Sequence, residues 1–219
     1  MSDPIPSEPV PVIHVVDDDA SFLRAVSRLL RASGFQVKTF DSAAAFLAQL
    51  DGDTQGCVIA DLQMPGLSGL ELQDALVKTG IAIPVIFLTG VGDIPSTVRA
   101  MRCGAEDFLD KRSPKKELLD AVNRALIRDA RERAQRARLH ELRAPFDTLT
   151  PRDREVLAHV LSGELNKQIA RNLGIDERSV KRHRTSIMTK LQVESVAELT
   201  HLVHAAGLHD ADDKLSVAS

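Results

Sequence analysis

Residues 10–30 read VPVIHVVDDDASFLRAVSRLL. An apolar run passes directly into three carboxylates, and these lead into a segment whose Leu23, Val26, Leu29 and Leu30 lie on one side of a helix. A nearly continuous apolar run describes a strand covered on both faces, as strands of a parallel sheet are. The same unit recurs downstream. FQVKTF (35–40), GCVIA (56–60), IPVIFL (83–88) and EDFL (106–109) read as strands, and segments 20–33, 42–50, 68–79, 94–103 and 114–128 read as helices between and after them. Gly34, Gly80 and Gly104 stand where left-handed helix caps are useful. Five such units predict an α/β, doubly wound, five-stranded parallel sheet over residues 11–126.

In an open parallel sheet, ligands bind outside the carboxyl ends of the strands. The polar residues that follow the predicted strands are Asp17, Asp18 and Asp19, then Asp61, Thr89 and Lys111. Carboxylates with water make a hard oxygen site of the kind Mg²⁺ prefers, and a carboxylate can attack a phosphoryl group to form an acyl phosphate. A metal, an ammonium and a hydroxyl would then neutralise and hydrogen-bond the phosphoryl oxygens. Taken singly, an acid at a strand end is more often a helix N-cap, and Asp19 or Asp41 fits that role.

From Thr148 to Leu208 no strand candidate occurs. Helices are expected near 151–161, 166–173, 177–191 and 195–206, forming an all-α four-helix helix-turn-helix domain over 147–208. Residues 127–146 are alanine-rich and charged and could extend the fifth helix as a linker, with Pro145 expected to stop it. The ends, 1–10 and 209–219, read as disordered tails. On the helix 177–191, Val180, Ile187 and Leu191 share an apolar face, with Asp176 as N-cap. The opposite face carries Arg178, Lys181, Arg182, Thr185 and Thr189, types that read base edges in the major groove of double-stranded DNA. A solvated face on a helical bundle would show the same pattern. Lys167 and Ser179 lie near helix starts, where phosphates bind, and His183 falls toward the core side.

The chain has 219 residues, 43% hydrophobic and 27% charged, with net charge −3. The front half is acidic and the back half mildly basic, as expected of two domains with different partners. No apolar run is long enough to span a membrane, and the N-terminus lacks the pattern of a secretory signal, so a cytoplasmic location is expected. Absence of Trp and Tyr disfavours a stacking platform for single strands. Cys57 and Cys103 are expected to be buried free thiols.

The motifs VVDDD, IADLQMPGLSGLEL, FLTGVGD and GAEDFLDK, with the spacings from Asp18 to Asp61, Thr89 and Lys111, resemble the receiver domains of two-component response regulators across residues 11–126. The resemblance implies that Asp61 accepts phosphate from a sensor histidine kinase. It also implies that Asp17, Asp18, Asp61 and the main-chain carbonyl of Gln63 hold Mg²⁺, that Thr89 moves toward the phosphoryl group with Phe108 turning inward behind it, and that the 94–109 face forms a homodimer. Residues 149–203, LTPRDREVL through ELTHLV, resemble a LuxR-type helix-turn-helix domain, whose last helix is the usual dimer contact. Receiver, linker and LuxR-type domain follow in the order of the FixJ/NarL response regulators, and TGVGDIP and AAAFL place the chain nearer FixJ. A phosphorylation-controlled transcriptional regulator is implied, with RNA polymerase a plausible partner and no enzymatic activity beyond slow autodephosphorylation.

Two rival readings exist. A haloacid-dehalogenase-type phosphatase would place an acid two residues after its nucleophile, where this chain has Gln63. A phosphorylation-independent DNA-binding protein would have less use for the intact acidic pair. One departure from the receiver pattern stands out: the family usually follows its lysine with proline, often through a cis bond. Here Arg112 follows Lys111, so either a trans bond with a rearranged loop or a strained cis bond held by the site is expected, the trans form costing less, and Pro114 should open the fifth helix instead.

Overall fold

A computed structural model describes residues 10–52, 54–90 and 94–208. Five short parallel strands, β1 (Val12–Val16), β2 (Gln36–Phe40), β3 (Gly56–Ala60), β4 (Val85–Thr89) and β5 (Asp107–Asp110), form one sheet in the order β2-β1-β3-β4-β5. Helices α1 (Ala20–Ala32), α2 (Ala43–Leu47), α3 (Gly69–Thr79), α4 (Ile94–Arg102) and α5 (Lys115–Asp147) alternate with them. Side-chain alternation along β1 splits the interior in two. Ile13 and Val15 pack with Leu23, Leu30, Leu118 and Val122 of α1 and α5. Val16 joins Phe40, Phe46, Leu72 and Phe87 on the face of α2 and α3. The chain direction across the sheet reverses between β1 and β3, so the residues following those two strands meet in the crevice where open α/β sheets bind ligands.

Local chemistry sets the helix ends. Asp19 caps α1 by accepting from Ser21 and Phe22, and Gly34, Gly80 and Gly104 all adopt positive φ. Ser42 rather than Asp41 caps α2, which is shorter than expected. A capping box formed by Ser68 and Glu71 starts α3.

Pro145 does not stop α5 as the sequence suggested; it lies inside the helix, which ends at Asp147. Proline lacks an N–H but keeps its carbonyl, and the Pro145 and Phe146 carbonyls accept from Thr148 and Leu149 at 3.2 Å to close the last turn. Pro114 sits one residue before α5, with its carbonyl accepting from Glu117.

The chain divides into two compact units after Arg133, within the segment read as a linker. The second unit contains α6 (Pro151–Leu161), α7 (Asn166–Leu173), α8 (Glu177–Lys190) and α9 (Val196–Ala205). Val156, Leu157, Ile169, Val180, Ile187 and Leu199 are nearly sealed in its core. Cys57 is buried, but Cys103 is exposed, contrary to expectation: it follows the last turn of α4, whose Val98 and Met101 are exposed as well. Among the described residues no helix is long and apolar enough to cross a membrane. The expected tails, Val10 apart, lie outside the described residues.

Candidate functional site

At the carboxyl ends of β1 and β3 the main chain is tied down before any side chain is considered. The Asp61 amide donates to the Val16 carbonyl at 2.9 Å, and the Asp17 amide to the Phe40 carbonyl at 3.1 Å. Gly69, the first residue of α3, packs so tightly behind Asp61 that a Cβ there would lie 2.3 Å from the Asp61 carbonyl oxygen. The acid is therefore held between β3 and the start of α3.

Onto this frame the structure brings Asp17, Asp18 and Asp61, whose carboxylate oxygens lie within 4.8 Å of one another. Asp17 and Asp61 are buried and Asp18 is exposed. Lys111 reaches in from the loop after β5: its Nζ lies 2.6 Å from Asp17 Oδ2 and 3.0 Å from Asp61 Oδ2. The same ammonium sits 4.4 Å from the centroid of the Phe22 ring, a contact the sequence reading missed because Phe22 looks like one more apolar residue of α1. Burial pushes the Asp17 carboxyl above its ordinary pKa, against the pull of Lys111 and the Asp19 amide. Burial works against the Lys111 charge as well, but hydrogen bonds to Asp17 and Asp61 outweigh it and raise the lysine.

Thr89 ends β4 and is buried, and its carbonyl accepts from the Lys111 amide at 2.9 Å. Phe108 is half-buried, its ring centroid 6.1 Å from that of Phe87. Gln63 is exposed in the loop after β3, between the buried Leu62 and Met64. The Lys111–Arg112 bond is trans, since no described bond is cis. In place of proline geometry, a turn positions the lysine: the Arg112 amide donates to Asp110 Oδ1 at 2.7 Å and the Ser113 amide to the Asp110 carbonyl at 2.8 Å.

The donor set suits a divalent cation. Three carboxylates converge, and Asp61 Oδ1 is buried with no hydrogen-bond partner among the described residues. Three clustered carboxylates, two of them buried, carry a charge that a hard cation such as Mg²⁺ compensates.

In the second unit, Arg178, Lys181, Arg182, Thr185 and Thr189 are exposed on α8, while Val180 and Ile187 are sealed inward. Lys167 is exposed in the first turn of α7. The Ser179 hydroxyl, expected near phosphate, donates to Asp176 Oδ2 at 2.8 Å, and the Thr185 hydroxyl donates to the Lys181 carbonyl at 3.1 Å. His183 is turned toward the interior: its Nδ1 lies 2.9 Å from Asp153 Oδ1, while Lys190 Nζ donates to Asp153 Oδ2 at 2.8 Å. Asp153, in the first turn of α6, thus grips α8 at its middle and at its end. Burial alone would raise that carboxyl, but donation from Lys190, His183 and Thr150 more than reverses it and holds the pKa far below the usual carboxylate range. The sequence reading missed Asp153 because it looks like an ordinary first-turn acid.

The family model for the response regulator receiver domain matches residues 13–123, and the model for bacterial regulatory proteins of the luxR family matches 147–203. The chain is a response regulator. It is 42% identical over 197 residues to Nodulation protein W of Bradyrhizobium diazoefficiens, covering 90% of this chain and 87% of the relative. It is 40% identical over 201 residues to the transcriptional regulatory protein FixJ of Azorhizobium caulinodans, covering 92% and 95%. Among solved structures, the response regulator StyR matches with TM-score 0.76 at 45% identity, covering 90% of this chain and 99% of that one. Full-length FixJ from B. japonicum matches with TM-score 0.54 at 37% identity, covering 90% and 98%. The relatives are response regulators with DNA-binding domains rather than typical enzymes. A receiver joined to a LuxR-type domain makes this response regulator a phosphorylation-controlled transcriptional regulator, with a histidine kinase and DNA as its implied partners.

Proposed function

We propose that Asp61 is the phosphoryl acceptor and that phosphorylation there controls how the LuxR-type domain engages promoter DNA. The observation that carries this reading is the buried Asp61 Oδ1, without a partner among the described residues, with Lys111 Nζ on the other carboxylate oxygen at 3.0 Å. One oxygen is left for attack on phosphorus while the ammonium stands ready for the charge that develops. Asp17, Asp18, Asp61 and the Gln63 carbonyl would hold Mg²⁺, which supplies charge neutralisation to the phosphoryl oxygens. Lys111 pairs with a phosphoryl oxygen, Thr89 donates its hydroxyl to another, and Phe108 fills the space that Thr89 leaves. Water attack on the acyl phosphate makes the same site a slow autophosphatase.

The 94–109 segment is the face through which phosphorylated chains pair, giving a homodimer that matches paired half-sites. Arg178, Lys181, Arg182, Thr185 and Thr189 face the groove, and Lys167 and the amino-terminal turn of α8 at Ser179 meet phosphates. RNA polymerase is the onward partner, and the setting is the bacterial cytoplasm. The test is phosphorylation by a small acyl-phosphate donor with Mg²⁺, wild type against Asp61→Asn, followed by operator binding. Wild type should label and bind more tightly once labelled. Label retained by Asp61→Asn removes the acceptor assignment, and unchanged operator affinity removes the switch.

A further inference from the structure

The chain's two thiols differ sharply. Cys57 lies inside β3, fully buried, and burial pushes its thiol up to about 12, which leaves it inert. Cys103 is exposed after the last turn of α4 and lines a cleft of about 330 Å³ at the amino-terminal edge of β4, the strand whose other end is Thr89.

A second feature of that cleft is a missing partner. Gln73 of α3 also lines it and is 3% exposed. Its Nε2 donates to the Ala100 and Cys103 carbonyls, both at 3.2 Å. An amide flip would set its oxygen against two carbonyls, so the orientation is fixed by chemistry. Gln73 Oε1 is then buried with no donor among the described residues. Such an acceptor costs free energy until an N–H fills it. The remaining polar wall carries both signs: Arg128 Nε donates to Glu132 at 2.8 Å, and both residues line the cleft. Apolar walls come from Val77 and Pro84. A thiol, an unfilled acceptor, a guanidinium and a carboxylate around one cleft match a small zwitterion that carries amide N–H groups.

We propose that Cys103 is a thiol-modification site that takes a mixed disulfide with a zwitterionic, low-molecular-weight aminothiol of the glutathione class, whose body lies in this cleft. The Cys103 proton passes to solvent, and the thiolate attacks one sulfur of the oxidised aminothiol. The new S–S bond forms as the old one breaks, and the second aminothiol leaves as a thiolate that takes up a proton. The incoming disulfide is the oxidant, so no further electron acceptor is needed. The peptide amide donates to Gln73 Oε1, the carboxylate pairs with Arg128 and the ammonium with Glu132. The domain thereby has a second covalent input, at the edge of the sheet opposite Asp61.

The full-length chain is treated with glutathione disulfide or with bis(2-hydroxyethyl) disulfide, which is neutral and lacks amides. Adducts are followed by peptide mass mapping, and each rate is divided by the rate for the same disulfide on the urea-unfolded chain. In the folded chain only Cys103 should react, and Cys103→Ser should take no adduct. The normalised preference for glutathione disulfide should be about three- to tenfold, the worth of one or two added polar contacts. Arg128→Gln and Glu132→Gln should each lower that preference. A normalised preference of one, a preference untouched by both substitutions, or Cys57 reacting as fast as Cys103 overturns the proposal.

Discussion

Lys111 holds two buried acids together, and the energetics of that arrangement make a test of the site. Burial disfavours the charged form of Asp17, so its folded-state pKa lies above its unfolded value. The folded state therefore binds the proton more tightly, and stability from this group falls as pH rises from about 4 through the raised pKa. Lys111 has the opposite bearing: its raised pKa gives stability that is complete below its ordinary value of 10.5 and is lost as pH rises through the folded value. Asp17→Asn removes the buried charge and leaves Lys111 paired with Asp61. In metal-free buffer near neutral pH, its thermal midpoint should lie above that of wild type, with the gap closing toward pH 4. Mg²⁺ should raise the wild-type midpoint, since a cation at a hundred times its Kd stabilises by about 2.7 kcal/mol. It should do much less for Asp17→Asn. Calorimetry with and without Mg²⁺ measures both effects.

Single contacts between elements carry the next level. α3 can lie behind β3 only because residue 69 has no side chain, since a Cβ would overlap the Asp61 carbonyl. Gly69→Ala should destabilise the domain by about 1–3 kcal/mol, read by urea unfolding, and should slow labelling of Asp61 by displacing its main chain. In the second unit Asp153 seats α8 through His183 and Lys190. Its lowered pKa gives stability that is present above the unfolded value near 4 and is lost as pH falls toward the folded value. Asp153→Asn should cost about 1.5–3 kcal/mol at pH 7, the worth of charge-assisted bonds. It should also weaken DNA binding without changing Asp61 labelling, a split that gel shift and phosphorylation assays separate.

At the scale of the whole molecule, two units with separate cores are joined within one chain, and each can be perturbed alone. If α8 enters the major groove, much of the affinity comes from phosphates, and log K falls linearly with log salt. Lys181→Ala should weaken binding at low salt, and if Lys181 meets a phosphate the slope should fall by about 1. An Arg178→Ala change that reads a base would instead relax sequence preference and leave the slope alone. Fluorescence titrations at several salt concentrations distinguish the two.

Much of this was legible before any coordinates. The apolar runs marked β1, β3 and β4, because a strand covered on both faces is apolar nearly throughout, and the placing of Asp17, Asp61, Thr89 and Lys111 at strand ends was readable from the same pattern. Asp176 was readable as a cap because capping depends on a few adjacent residues. Other features depend on distant parts of the chain. Pro145 looked like a stop because its missing N–H is a local property, whereas the turn beyond it is completed by carbonyls that still accept and by Phe146 reaching the core. Cys103 looked buried because exposure is set by what packs around a residue. Asp153 was missed because His183 and Lys190 lie 30 and 37 residues away in sequence and become its partners only when α6 and α8 pack. Periodicity and caps are short-range and write themselves into the order of residues. The orphaned oxygen of Asp61, the reach of Lys111 to two acids and the grip of Asp153 arise only when the packed chain brings far-apart groups within hydrogen-bond range and takes water away from them.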